Sequence, residues 1–308
     1  MSPIPPRPLA LSLERGLAAR TPDRAVRALQ SRLAGLQEQA TTGLRVNRPS
    51  DDPTSFERAR YFEAQSGRID GHLRTVGAAR LWVDETGAAL SDLADYAATA
   101  QTLGVQGRND ALGADEREAL AKRVESLLAQ SVDRLNAEVD GESLFAGNRT
   151  DQRPFNADGT PASGALADYG GARVRRVGPT TDLALNVTGE RVQTLADGTA
   201  PTDALRALAD ALRANDGAAI ETALGGVTEA RDHFIELESE SGEVSARLSE
   251  AEAQLADADV RAQARRSELE DADLFEVASG LQTTQGHLEA ALRTVASVRQ
   301  RSLLDYLR

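Results

Sequence analysis

The sequence predicts a mainly α fold: an elongated helical bundle or coiled coil formed by the N- and C-terminal segments, with a small β-rich domain inserted in the middle. Three observations carry this expectation. The 308 residues are 41% hydrophobic but only 4% aromatic, a balance that suits long helices of Ala, Leu, Glu and Arg better than a core built on large rings. Apolar residues recur with a seven-residue period towards both ends, the mark of a coiled-coil seam. Between about 147 and 201 the texture changes to Gly, Pro, Asn, Asp and Thr, which favour turns.

Taken in order, Pro3, Pro5, Pro6 and Pro8 deny the opening a regular helix, so residues 1–22 are expected to form a flexible Pro-rich extension. Thr21-Pro22-Asp23 reads as a helix start, with Thr as cap, Pro in the first turn and an acid near the positive end. Val26, Leu29, Leu33, Leu36 and Ala40 then alternate spacings of three and four. Thr42-Gly43 stops that helix, Asn47-Arg48-Pro49 is a loop, and Ser50-Asp51-Asp52-Pro53 starts the next by the same capping chemistry. A long helix from about 54 to 104 carries Ile69, Val76, Val83, Leu90 and Ala97 every seven residues. After a break at 104–113, a third helix over about 115–139 gathers Leu120, Val124, Leu127, Leu128, Leu135 and Val139 on one side.

In the middle, Leu183, Leu185 and Val187 alternate with Ala184 and Asn186, a period-two strand signal. Arg173 to Val177 is the expected partner strand across Gly178-Pro179-Thr180-Thr181. Helices resume where Thr202 is expected to cap a short one bearing Leu205, Leu208 and Leu212. A long helix follows with Ile220, Val227, Phe234, Leu248, Leu255, Ala262 and Leu269 in register and Ser241 as the polar exception. The last, roughly 271–302, shows Leu274, Val277, Leu281, Thr284, Leu288, Ala291, Val295 and Val298 before the ending Ser302-Leu303-Leu304-Asp305-Tyr306-Leu307-Arg308. The expected organisation is a terminal assembly region at 23–53 and 271–308, a helical rod at 54–145 and 202–270, and the β-rich insert at 146–201.

Composition also excludes. A net charge of −13 argues against a nucleic-acid partner. The charge is uneven: residues 1–50 carry eight Arg against Glu14, Asp23 and Glu38, while residues 231–280 carry fourteen acids against five Arg. Attraction between the two ends of the chain is the simplest account of that asymmetry. The absence of cysteine removes disulfides and thiol nucleophiles. No apolar run approaches the length of a membrane span, and the Pro-rich opening is a poor signal peptide.

No catalytic, cofactor or metal site emerges. There is no phosphate loop, and the one lysine, Lys122, lies mid-helix. His72, His233 and His287 fall in three different predicted helices, none with a second His at ligand spacing. Asp257 with Asp259 and Asp271 with Asp273 lack the glycine and terminal glutamate of a calcium loop. Asp51-Asp52 stands before Pro53, where capping explains it better than acid–base chemistry. The expectation is a structural protein and not an enzyme.

Two segments then narrow the reading. Thr42-Gly43-Leu44-Arg45-Val46-Asn47-Arg48-Pro49-Ser50-Asp51-Asp52-Pro53 resembles the signature of the flagellin superfamily, a helix-ending (S/T)G-x-R-(I/V) turn followed by an N-x-x-x-DD-P/A helix start. Gly141 to Phe155, with Phe145, Gly147, Thr150, Pro154 and Phe155, is similar to the (Y/L)-(I/L)-F-(S/A)-G-x-x-T-(D/E)-x-x-P-F stretch of that superfamily's hook–filament junction branch, the third hook-associated proteins. Tyr169-Gly170-Gly171, Asn186-Val187-Thr188-Gly189, Glu270-Asp271-Ala272-Asp273 and the Leu303-Leu304-Asp305-Tyr306-Leu307 end fit the same resemblance, which spans about 30–308; the Pro-rich first thirty residues depart from it.

The resemblance implies an extracellular part of the bacterial flagellum, exported by the flagellar type III apparatus without a cleaved signal peptide. It implies as partners further copies in a ring-like layer, the first hook-associated protein on the hook side, flagellin on the filament side and an export chaperone, with no nucleic acid and no membrane insertion. The assembly interface expected on this reading is Val26, Leu29, Leu33 and Leu36 with Leu274, Val277, Leu281, Leu288, Val295, Val298, Leu303 and Leu304, of the same or adjacent subunits. These terminal helices are expected to gain full burial only in the polymer. The bulk filament subunit is the alternative, and a coiled-coil signalling or scaffold protein a remote one that leaves the two motif segments unexplained.

Overall fold

A computed structural model describes the backbone of residues 9–109 and 111–306, and side chains within 23–297. The chain divides into two units: residues 1–66 with 260–308, and residues 67–259. In order, the helices are α1 (Leu9–Thr42), α2 (Pro53–Gly107), α3 (Ala114–Leu135), the short α4 (Gly189–Val192), α5 (Pro201–Arg213), α6 (Gly217–Glu270) and α7 (Leu274–Tyr306). Between α3 and α4 lie two antiparallel pairs, β1 (Glu138–Val139) with β2 (Glu142–Ser143), and β3 (Val174–Arg176) with β4 (Asp182–Ala184). The predicted helical bundle with a small strand-containing insert is what the chain adopts.

The second unit is organised by the predicted heptads. Ile69, Val76, Val83, Leu90 and Ala97 of α2 are buried in one core with Ile220, Val227, Phe234, Leu248 and Leu255 of α6. Each fully buried Leu, Val or Ile contributes roughly 1.5–3 kcal/mol, so these two stripes alone account for much of the drive to pair. Ser241, the polar exception in the α6 stripe, is buried and donates its hydroxyl to the Val83 carbonyl at 3.1 Å. Its polarity is therefore satisfied inside the seam. Helix α3 packs against α5, and buried Arg117 of α3 ties the turns at its end of the unit. Its guanidinium donates to the Gly107 carbonyl at 2.8 Å, the Asn109 carbonyl at 3.2 Å and the Asn215 side-chain oxygen.

The insert follows the turn chemistry more than any strand period. Strands β3 and β4 pair as predicted, Arg175 opposite Leu183. The β1–β2 pair was not predicted and starts before residue 146. Its turn residues, Asp140 and Gly141, both have positive φ, 53° and 79°, the primed turn that an Asp-Gly pair favours. Elsewhere the insert is turns and a short 3-10 helix, Leu166–Tyr169, with α4 capped by Thr188, whose hydroxyl accepts from the Arg191 amide.

Two helix starts differ from expectation. Helix α1 begins at Leu9, so Thr21 is not its cap and Pro22 lies within it; residues 1–8 of the expected extension lie outside the described residues. Leu, Ala, Arg and Glu around Pro22 are strong helix formers, and they outweigh the single backbone hydrogen bond that a proline removes. Helix α5 begins at Pro201 with Ala200 as its cap. Thr202 is buried in the first turn instead, where its hydroxyl reaches the Gln193 side-chain oxygen at 3.3 Å.

Candidate assembly site

The first unit joins the two ends of the chain. Helix α1 ends at Thr42, and Gly43, with φ 73°, takes the left-handed conformation that closes helices and that only glycine adopts freely. The turned chain then lies against the α6–α7 joint. The Arg45 amide donates to the Glu270 carbonyl at 2.6 Å, and the Ala272 amide donates to the Gly43 carbonyl at 2.9 Å. Leu44 and Asp271 form an isolated antiparallel bridge. The Arg45 guanidinium donates to the Leu269 carbonyl at 2.7 Å, a contact between residues 224 apart in sequence. A basic side chain at the carboxyl end of α6 also suits the helix dipole.

Of the two acids of the motif, Asp52 caps α2 as predicted, whereas Asp51 closes the loop before it. The Asp52 carboxylate accepts from the Ser55 amide at 3.1 Å at the start of α2, with Pro53 in the first helical position. Hydrogen bonds from Ser55 hold the Asp52 carboxyl below the ordinary carboxylate range, with Arg45 adding a smaller pull. Asp51 accepts from the amides of Asn47 at 3.0 Å and Arg48 at 2.9 Å, and the Asn47 side chain donates to the Leu44 carbonyl at 3.0 Å. Asp273 caps α7 by accepting from the Phe275 and Glu276 amides. Gly43, Arg45, Asn47, Asp51, Asp52 and Pro53 thus form one cap-and-joint device, brought together by the fold.

The apolar stripes at the chain ends also meet within one subunit. Helix α1 packs on α7, and Val26, Leu29, Leu33 and Leu36 are each half-buried. On α7, Val277 and Thr284 are buried, while Leu281, Leu288 and Val295 are half-buried. Within one chain the two stripes thus cover each other in part, because both ends return to the same unit. Leu274 departs from its stripe and is 59% exposed. The side chains of Val298, Leu303 and Leu304 lie outside the described residues.

Several apolar residues that the heptads did not single out stand open on this unit, Val260 at 65% exposure among them. Phe275 is 86% exposed, Tyr61 61% and Leu292 47%. Their signal in the sequence was their place off the seam, on the outer faces of their helices.

The second motif is a core. Phe145 and Phe155 are fully buried, and the Phe155 ring meets Tyr169 at 5.9 Å. Asn136 holds the Phe155 backbone from both sides, accepting from its amide at 3.0 Å and donating to its carbonyl at 3.1 Å. Thr150 supplies the carbonyl that receives the Ser143 amide at 2.7 Å, and Pro154 is buried. Gly147 has φ 61°, and a Cβ there would stand 2.8 Å from the Tyr169 carbonyl oxygen. Among the described residues no cluster of His, Cys, Asp or Glu could hold a metal, and no helix is long and apolar enough to cross a membrane.

Residues 17–150 match the model of the bacterial flagellin N-terminal helical region, and residues 224–307 match that of the C-terminal helical region. The chain belongs to the bacterial flagellin family. Within this family it is 26% identical over 291 residues to flagellar hook-associated protein 3 of Salmonella typhimurium, an alignment covering 88% of this chain and 91% of that protein. Two crystal structures share the fold of this flagellin-family chain. Bacillus cereus FlgL gives a TM-score of 0.58 at 17% identity, covering 67% of this chain and 98% of that one. The flagellar junction protein FlgL from Legionella pneumophila gives 0.58 at 14% identity, covering 70% and 100%.

Proposed function

We propose that the protein is a structural subunit of the bacterial flagellum, the adaptor layer that joins hook to filament. The observation that carries this reading is the alignment with hook-associated protein 3 of Salmonella typhimurium over 88% of this chain and 91% of that protein. Assembly uses the first unit: the Gly43–Pro53 joint fixes the ends of the chain together, and the α1–α7 pair presents its uncovered apolar residues to neighbouring copies. The partly covered seam residues, Val26, Leu29, Leu33 and Leu36 with Leu281, Leu288 and Val295, gain their remaining burial in the ring-like layer.

On this reading the first hook-associated protein lies on the hook side and flagellin on the filament side, and an export chaperone holds the C-terminal helix before type III export without a cleaved signal peptide. The role is mechanical and needs no catalytic group. Immunogold labelling of intact flagella tests it: label confined to the hook–filament boundary is expected, whereas label spread along the filament would mark the protein as bulk flagellin. A strain lacking the protein should export flagellin into the medium and grow no filament.

A further inference from the structure

The second unit carries a cavity of about 510 Å³ between α2 and the strands of the insert. Its walls include three arginines, Arg74 of α2 with Arg173 and Arg175 beside and within β3, facing two acids, Asp140 and Glu142. Three guanidinium groups against two carboxylates is an excess of positive charge, on a chain whose net charge is −13. The Arg173 guanidinium lies 4.1 Å from the centre of the Trp82 ring, within cation–π range, and pairs with the Glu142 carboxylate. Among the described residues neither the Arg74 nor the Arg175 side chain has an ion-pair or hydrogen-bond partner. The buried Trp82 indole N–H finds no acceptor either. The cavity is thus rich in donors and short of acceptors.

Glu142 already illustrates what the cavity takes. Its carboxylate is held by a guanidinium that itself lies over an aromatic face, and arginine is the side chain best suited to carboxylates. We propose that the cavity docks an acidic peptide segment, whose carboxylates pair with Arg74 and Arg175 while its backbone lies along the Trp82–Arg173 wall. The volume suits a few side chains of such a segment. The inference rests on the cavity and stands apart from the flagellar reading above.

Trp82 is the one tryptophan of the chain, so its fluorescence reports on the cavity directly. The full-length protein is titrated with an oligoglutamate peptide at low ionic strength, with calorimetry alongside to register binding that leaves the fluorescence unchanged. A saturable change is expected, weakened about tenfold in Arg74→Gln and again in Arg175→Gln, in line with loss of one charged hydrogen bond, and suppressed by salt. Both arginines are exposed, so both variants should keep the parent's circular dichroism. Saturation by oligoglutamine, equally tight binding of inorganic phosphate, variants that bind like the parent, or no binding by either method would each overturn the proposal.

Discussion

Two glycines show how differently one residue type can be required. Gly43 and Gly147 both have positive φ, but a Cβ on Gly43 would meet open space, whereas on Gly147 it would collide with the Tyr169 carbonyl. Gly43→Ala therefore carries only the conformational term, about 1–2 kcal/mol. Gly147→Ala carries that term and displaces backbone in the Phe145–Phe155 core, so it should be the more damaging of the two. Urea unfolding of both variants checks the order, and equal midpoints would refute it. Arg117 makes a complementary case. It is buried with neutral acceptors on two turns, and a lysine has one ammonium where the site uses three arms of a planar fork. Arg117→Lys should lower stability by about 1.5–3 kcal/mol, read as a fall in the urea midpoint at unchanged slope.

At the scale of elements, the α1–α7 pair separates two kinds of apolar residue. Leu281 faces the α1 side and is half-buried, while Phe275 stands in solvent. Leu281→Asp places a charge against the helix pair, so limited proteolysis should cut the terminal helices of the free protein faster. Phe275→Glu removes nothing from the free chain and should leave proteolysis unchanged, yet it should prevent incorporation into the flagellum if neighbouring copies cover that face. The long helices were readable because a seven-residue period repeated many times leaves no other structure that buries it. The start of α1 was not readable, because Pro22 is a local signal overruled by the helix formers around it. The β1–β2 hairpin escaped for the opposite reason: two-residue strands have no period, and only Asp140-Gly141 announced the turn. Of the candidate site, the capping acids and Gly43 could be read from local chemistry. The pairing of Arg45 with the α6–α7 joint could not, since nothing local links residues 224 apart.

For the whole molecule, charge sets the response to acid. Asp158 and Asp197 sit in matching Ala-Asp-Gly-Thr turns, where the Thr160 and Thr199 hydroxyls and amides hold their carboxyls below the ordinary value of 3.8. The Arg191 hydrogen bonds do the same for Glu240 from 4.5, and Arg176 for Asp182. A carboxyl with a lowered pKa in the folded chain contributes stability that is fully present above its unfolded value. That contribution fades as pH falls past 3.8 or 4.5 towards the lower folded value. An opposite effect acts together with it. The chain carries 48 acids against 35 Lys and Arg, and protonating unpaired carboxylates relieves their mutual repulsion. The double variant Asp158→Asn, Asp197→Asn separates the two, because it abolishes the turn contribution and leaves the general repulsion almost untouched. The parent should lose more of its urea midpoint than the variant between about pH 6 and pH 3; parallel curves would mean that the two turns do not sense acid, and that the global charge alone governs the transition.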